Sequence, residues 1–142
     1  MKTMQLIIFA LSAFVVLMAC DESREESLPI DNQFGESITL EIGESSDIQA
    51  DLLTITFDKL VEDSRCPTGV ECFWEGQATV QFLVNETTIL DLTMRAGHED
   101  LAKDTLDNYI YTLLDVSPYP DMTDNLPLSE DAYTIELQVD EL

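Results

Sequence analysis

Apolar and polar positions alternate along most of this chain from about residue 37 onward. Successive side chains of a β-strand point to opposite faces of a sheet, so strict alternation predicts a strand with one buried face. Four stretches have this pattern, 38–42, 53–61, 78–84 and 133–140, and two more are predicted strands: 89–94, which returns from a turn at 85–87, and the strongly β-prone 109–116. Short strands joined by long connections predict an all-β domain, an antiparallel β-sandwich or a partly open barrel of about six to seven strands.

The clearest alternation is in the stretch 133–140, and the longest is in the second stretch, 53–61. In the second, one face carries Leu53, Ile55, Phe57, Lys59 and Val61, which predicts an uninterrupted strand. Two segments break the pattern. Residues 95–108 predict a loop with a short helical turn around 101–106. Residues 117–131 predict a second loop, because the prolines in Ser117-Pro118-Tyr119-Pro120 cannot donate a ladder hydrogen bond.

The N-terminal apolar run does not alternate. It extends from Leu6 to Met18 behind Lys2 and is too short for a comfortable transmembrane helix. It ends in Leu17-Met18-Ala19-Cys20, which resembles the lipobox of bacterial lipoprotein signal peptides, in which the cysteine is lipidated and becomes the first mature residue. We therefore expect a signal peptide at 1–19 and a lipid anchor at Cys20. The alternative is an ordinary leader followed by an unrelated cysteine.

Behind the expected anchor, residues 20–35 are polar and acidic and predict a flexible tether, and residues 36–142 form the predicted β-sandwich-like domain. The acids of residues 21–26 resemble the surface-export signal of Bacteroidetes-type lipoproteins, although a solvated tether explains the same residues. The expected location is the cell envelope, at the outer membrane, on either its periplasmic side or the cell surface.

The net charge of the chain limits the classes of partner that it can bind. Twenty-nine Asp and Glu residues against six Lys and Arg give a formal net charge of −23. Such a surface repels phosphate backbones, which excludes nucleic acid as a partner, and it favours cationic proteins or divalent cations. Because the acids are scattered along the chain, they also fit a general solvated surface.

Residues 63–76, which we call the corner, hold the two other cysteines. In an exported chain whose Cys20 carries lipid, Cys66 and Cys72 are left to pair with each other, so we expect a disulfide. A metal or redox pair is the alternative. Five residues separate the two cysteines and His98 is the only histidine, which favours the disulfide.

Three further residues of the corner are candidates for a binding or structural site. We expect Trp74 to pack beside the disulfide and form an apolar floor. Asp63 and Arg65 are candidates for an ion pair that braces the corner, with Arg65 partly buried against its acidic partner.

The corner also carries a resemblance. Asp63-Ser64-Arg65-Cys66-Pro67 followed by Val70, Cys72, Trp74 and Gly76 resembles the D-S-R-C-P-x-x-V-x-C-x-W-x-G signature of a family of small uncharacterised bacterial (Bacteroidetes-type) lipoproteins. The segment 109–120, ending in Pro118-Tyr119-Pro120, resembles the second recurring feature of that family. Glu75 stands where the family commonly has a small residue. The resemblance implies a β-sandwich-like lipoprotein domain and no particular activity or ligand.

Motifs for catalysis and metal binding are weak. No G-x-S-x-G elbow is present, and His98 lies in a predicted loop, so we expect no enzyme and no catalytic residue. Asp115, Asp121 and Asp124 are weak candidates for calcium ligands, without the ligand spacing of an EF-hand. We therefore expect no cofactor, with calcium as an alternative.

These observations predict a lipid-anchored cell-envelope protein, a non-enzymatic binding or structural module. One alternative is an inhibitor of a cationic enzyme such as lysozyme or a protease, which would present the disulfide loop to the enzyme cleft. A second alternative is a calcium-stabilised envelope domain.

Overall fold

A computed structural model describes residues 32–50, 52–123 and 128–142. Two four-stranded antiparallel sheets pack against each other, which confirms the predicted all-β sandwich. The strands are β1 (Ser37–Glu41), β2 (Ser45–Ile48), β3 (Leu53–Asp63), β4 (Ala78–Val84), β5 (Thr88–Met94), β6 (Lys103–Leu106), β7 (Tyr109–Ser117) and β8 (Thr134–Glu141). Two 3-10 turns cover Glu99–Ala102 and Glu130–Ala132.

The chain changes sheet twice. The order in one sheet is β1-β8-β7-β6 and in the other β2-β3-β4-β5, with every pair antiparallel. The second sheet is a meander of consecutive strands. In the first, β1 pairs with β8, so both ends of the described domain belong to the same sheet.

The interior follows the alternation of the sequence. In β4, Ala78, Val80, Phe82 and Val84 are all buried, and the residues between them are half-buried. In β8, Ile135, Leu137 and Val139 are buried in the same way. The two sheets meet through such rows, and each fully buried large aliphatic or aromatic side chain contributes about 1.5–3 kcal/mol of transfer free energy.

The uninterrupted alternation predicted for the second strand is wrong beyond Phe57. A β-bulge lies between Phe57 and Lys59 and a second between Leu60 and Glu62. A bulge adds one residue to one strand only. After the bulge, residues that the alternation would place on the core side lie on the solvent side, and the reverse. Leu60 therefore packs against the core, whereas Val61 is 51% exposed.

Two short strands were not predicted, which brings the number from the expected six or seven to eight. Both are polar: β2 reads Ser-Ser-Asp-Ile and β6 reads Lys-Asp-Thr-Leu. Each has only four residues, mostly polar, which is too short to show apolar alternation, and each is held by antiparallel pairing with one neighbouring strand. The helical turn expected around 101–106 lies at Glu99–Ala102, and β6 follows it directly.

The predicted signal peptide, Cys20 and nearly all of the tether lie outside the described residues. Within the described ranges, no helix combines the length and apolar character needed to cross a membrane.

Candidate functional site

The corner connects the end of β3 to the start of β4, the two central strands of the β2-β3-β4-β5 sheet. The predicted disulfide between Cys66 and Cys72 is present, with the two Cα atoms 5.9 Å apart. At the base of the corner, the backbone N–H of Ser64 donates to the carbonyl of Gln77 at 2.8 Å. The disulfide and this hydrogen bond close a loop that begins and ends on neighbouring strands.

Arg65 is the one polar or charged residue in the buried class within the described ranges, at 8% exposure. Its Nε and Nη2 donate to the two oxygens of Asp63 at 2.9 and 2.7 Å, so the guanidinium and carboxylate meet edge to edge. The predicted ion pair is therefore confirmed, and it is more deeply buried than the sequence suggested.

The remaining donors of Arg65 reach the other sheet. Nη1 donates to the carbonyl of Val116 at 2.6 Å, and Nη2 donates to the carbonyl of Pro118 at 2.9 Å. The hydroxyl of Tyr133 donates to Asp63 at 3.0 Å from the residue that precedes β8. Asp63, Arg65 and Tyr133, together with the Val116 and Pro118 carbonyls, form a polar network that joins the ends of both sheets.

Charge within this network is fixed. Burial acts to raise the pKa of the Asp63 carboxyl, but the hydrogen bonds and charge of Arg65, aided by Tyr133, outweigh it and hold that pKa below its ordinary value. Burial, followed by the hydrogen bond to the Asp63 carboxylate, raises the pKa of Tyr133 to about 12. At neutral pH the network therefore holds a carboxylate, a guanidinium and a neutral phenol.

A second loop, residues 117–123, is held against the corner. The Thr68 N–H donates to the Pro120 carbonyl at 2.9 Å, and the Met122 N–H donates to the Thr68 carbonyl at 3.2 Å. The Thr68 hydroxyl also donates to the Asp121 carboxylate. The Arg65 guanidinium lies 4.8 Å from the centre of the Tyr119 ring, a cation–π contact. The two loops thus form one unit.

Tight packing at Gly76 completes the corner. A Cβ at Gly76 would lie 2.3 Å from the Ser64 carbonyl oxygen and 2.6 Å from the Arg65 Cα, and the φ angle of Gly76 is +70°. Only glycine permits both that backbone angle and that approach. The indole N–H of Trp74 donates to the same Ser64 carbonyl at 3.2 Å.

The expectation that Trp74 forms an apolar floor beside the disulfide is wrong, because its side chain is 60% exposed. The hydrogen bond to Ser64 holds the indole at the surface. Trp74 belongs to an exposed group that we call the aromatic patch: Val70 (42% exposed), Phe73 (104%), Trp74, Tyr119 (50%) and Met122 (63%). Every large aromatic side chain in the exposed class within the described ranges lies in this patch.

Two surface grooves flank the network, and Arg65 lines both. One, of about 570 Å³, lies between Trp74, Pro120 and Tyr133. The other, of about 260 Å³, lies between Tyr119 and Arg95. The surface at the corner therefore has both projecting side chains and recesses beside them.

The two acidic candidates for metal binding that the structure describes, Asp115 and Asp121, each accept hydrogen bonds from hydroxyl groups. Asp115 accepts a hydrogen bond from the Ser117 hydroxyl, and Asp124 lies outside the described residues. Hydrogen bonds to the Asp121 carboxylate, first from the Thr123 side chain and then from Thr68, lower its pKa to about 2. In the described part of the chain, no three acidic, His or Cys residues are grouped as metal ligands would be.

Sequence reasoning selected Asp63, Arg65 and Trp74 but missed Phe73, Tyr119 and Tyr133. Phe73 could have been noticed because it is a large apolar residue in a predicted loop with a glutamate two residues away on each side, a setting in which burial is not expected. Tyr119 stands between two prolines. No local signal identifies Tyr133 as a partner of Asp63, because 70 residues separate them.

Together, the fold and the corner define a small all-β domain, closed at one end of its sandwich by a disulfide and a buried arginine. Compared with protein families, curated proteins and solved structures, the chain matches no family model, no curated protein and no solved structure.

Proposed function

We propose that this protein is a lipid-anchored domain of the cell envelope, related to the small lipoproteins that its corner resembles. In this proposal it acts without catalysis, as a binding module. Cys20 carries the anchor, and the aromatic patch of the corner binds a protein partner. The observation that carries the binding role is the gathering of Phe73, Trp74 and Tyr119 on two loops that are tied to each other.

Exposed aromatic residues support a binding role because leaving them in water is unfavourable, and aromatic side chains dominate the energy of protein interfaces. The disulfide and the polar network hold them in place, so little conformational entropy is lost on binding. A surface kept only for solubility needs neither the aromatic side chains nor the bracing beneath them.

The net charge of −23 favours a cationic partner and accelerates its encounter at low ionic strength. The test of binding uses the mature chain, residues 20–142, immobilised and exposed to basic and acidic secreted proteins in 50 mM and 500 mM salt. We expect retention of basic proteins at low salt, and loss of that retention in a Phe73→Ala, Trp74→Ala double variant. An Ile89→Ala variant, altered at an apolar residue of β5 that is about as exposed as Trp74 (61% against 60%), is the control.

The anchor is tested separately. We expect the full chain to incorporate labelled fatty acid and to sediment with membranes, and a Cys20→Ser variant to do neither. If the Cys20→Ser variant is still labelled, the proposed lipidation site is wrong. Protease accessibility on intact cells then distinguishes the cell surface from the periplasmic side.

The second candidate function, inhibition of a cationic enzyme, is favoured by the position of Phe73, fully exposed directly behind the disulfide. A braced loop with a projecting side chain fits an enzyme cleft. Residual activity of lysozymes and secreted proteases, measured with excess mature chain at low salt, tests this candidate. Retention of an enzyme without loss of its activity favours the simple binding module.

A further inference from the structure

We propose that Phe73 is the anchoring side chain of the aromatic patch, and that it inserts into an apolar recess with a basic rim on a partner protein. This proposal rests on the binding function proposed above and specifies the class of partner surface. It depends on the exposure of Phe73, the bracing on both sides of it and the charges beside it.

Phe73 stands apart from the other exposed residues of the domain. At 104% exposure Phe73 is fully accessible to solvent, whereas Trp74 and Tyr119 are 60% and 50% exposed. A whole phenylalanine ring in water is unfavourable, and nothing in the described domain relieves it. A fully exposed ring buries the most apolar area when it enters a recess, so a recess is the complementary surface of the partner.

The backbone on either side of Phe73 is fixed. Cys72 precedes it and is bonded to Cys66, and Trp74 follows it with its indole N–H bonded to the Ser64 carbonyl at 3.2 Å. Gly76 packs directly on the same carbonyl. Because its neighbours are held, Phe73 is presented in one direction, and binding does not require the loop to be ordered first.

Charge identifies the rim of the recess. Glu71 and Glu75 lie two residues before and two residues after Phe73, and both are exposed. Of the basic residues nearby, Arg65 is buried in its pair with Asp63, and Arg95 is paired with Glu75 at 3.3 Å. Two exposed glutamates therefore flank Phe73 in the sequence, one of them paired with Arg95, and the net charge of the chain is −23, which together disfavour an acidic rim and favour lysine and arginine side chains.

The same charges argue against a lipid surface as the occupant. A single projecting aromatic residue is suited to a membrane interface, but the surrounding carboxylates and the net charge of −23 repel anionic headgroups. A recess with a basic rim on a protein would bury the Phe73 ring and would also attract the negative charges near it. Membrane insertion of Phe73 is therefore an outcome to be tested against the proposal.

The first experiment replaces Phe73 with the photoreactive residue benzoylphenylalanine in the full chain, in cells that produce this protein, and crosslinks it to its neighbours with light. Position 86, in the turn at the other end of β4, is the control, and position 119 samples another part of the patch. We expect an adduct from 73 and not from 86, to a protein of basic isoelectric point. An acidic protein at 73 would overturn the proposal. An adduct at position 119 without one at position 73 would overturn the anchoring role of Phe73 but still support the proposed binding function. If neither position gives a specific adduct, both the anchoring role and the proposed binding function are wrong.

The second experiment measures affinity for the basic protein so identified. We expect Phe73→Ala to weaken binding about 30-fold or more, as an anchoring residue does. Phe73→Leu, which keeps an apolar side chain, should recover part of that loss, and Ile89→Ala should bind like the unaltered protein. Thermal unfolding of each variant verifies that the domain is folded. Unchanged affinity in Phe73→Ala would overturn the proposal.

The third experiment uses residues 20–142 produced without the lipid anchor. This protein is mixed with vesicles of either zwitterionic or anionic phospholipid. We expect the fluorescence of Trp74, the only tryptophan, to stay unchanged with both. A blue shift that is lost in Phe73→Ala would assign the ring to the membrane and overturn the proposal.

Discussion

Between the two sheets the contact is apolar, made by buried side chains such as Phe57, Phe82 and Leu137. At the corner, the contact between the sheets is polar, made by one arginine that reaches Asp63, the Val116 carbonyl and the Pro118 carbonyl. Apolar packing has no directional requirement, so neighbours compensate in part when one side chain changes. Directional hydrogen bonds leave buried partners unsatisfied when one member is removed.

Two tyrosines illustrate this difference. Tyr111 in the interior and Tyr133 in the polar network both have a pKa raised to about 12, in each case with burial as the largest cause. The hydroxyl of Tyr133 donates to Asp63, whereas that of Tyr111 has no hydrogen-bond partner in the described part of the protein. Although both tyrosines have the same raised pKa, we expect the hydroxyl of Tyr133 to stabilise the fold and that of Tyr111 to destabilise it or have no effect.

The largest expected effect is that of Arg65→Ala. Removing the guanidinium leaves the Asp63 carboxylate and two carbonyls without their partner, which should cost about 3–5 kcal/mol of unfolding free energy. Arg95→Ala is the control, because that arginine pairs with Glu75 at the surface and should cost no more than about 1 kcal/mol. Urea unfolding at pH 7 measures both. Equal effects would mean that the polar network does not join the sheets.

Gly76→Ala comes next. Its added Cβ would meet the Ser64 carbonyl oxygen, which is backbone and cannot move aside, and we expect a loss of about 3 kcal/mol. Gly97→Ala is the matched control, since Gly97 has a similar φ of +73° and open space around it. The control should lose about 1 kcal/mol through backbone strain alone. If both variants unfold at the same urea concentration, the close approach at Gly76 is not important.

A smaller effect, of opposite sign at the two tyrosines, should follow from Tyr→Phe changes. Tyr133→Phe removes a donor to a buried carboxylate and should lower the unfolding free energy by about 1–2 kcal/mol. Tyr111→Phe removes an unpartnered hydroxyl and should leave stability unchanged or raise it by up to about 1 kcal/mol. A loss of stability in Tyr111→Phe would indicate that its hydroxyl has a partner, such as a bound water.

The smallest expected effect is a response of the corner to acid. The folded-state pKa of Asp63 lies below its ordinary value of 3.8, so the unfolded chain binds its proton first as the pH falls. Its contribution to stability is therefore complete well above pH 3.8 and is lost as the pH falls through the lower folded-state pKa. Asp121, with a pKa of about 2, acts with the same sign. Trp74 fluorescence should change between pH 4 and 2 before the circular dichroism of the sheets changes, and simultaneous loss of both signals would contradict a separately responding corner.

What the sequence determined is the part that depends on neighbouring residues. The alternation of β4 and β8 predicted which side chains face the core, because a strand repeats every two residues whatever it pairs with. The choice of Cys66 and Cys72 as a disulfide followed from their number and spacing. The ion pair of Asp63 and Arg65 could be predicted for the same reason, since only Ser64 lies between them in the sequence.

What only the tertiary structure decided is the part that depends on distant partners. The bulges of β3 arise in its pairing with β4, and the short strands β2 and β6 exist because a neighbouring strand offers them hydrogen bonds. Arg65 reaches Val116 and Pro118 across 51 and 53 residues, a contact that no local pattern encodes. Trp74 was expected to pack beside the disulfide as an apolar floor, but its N–H donates to the Ser64 carbonyl and its side chain is 60% exposed.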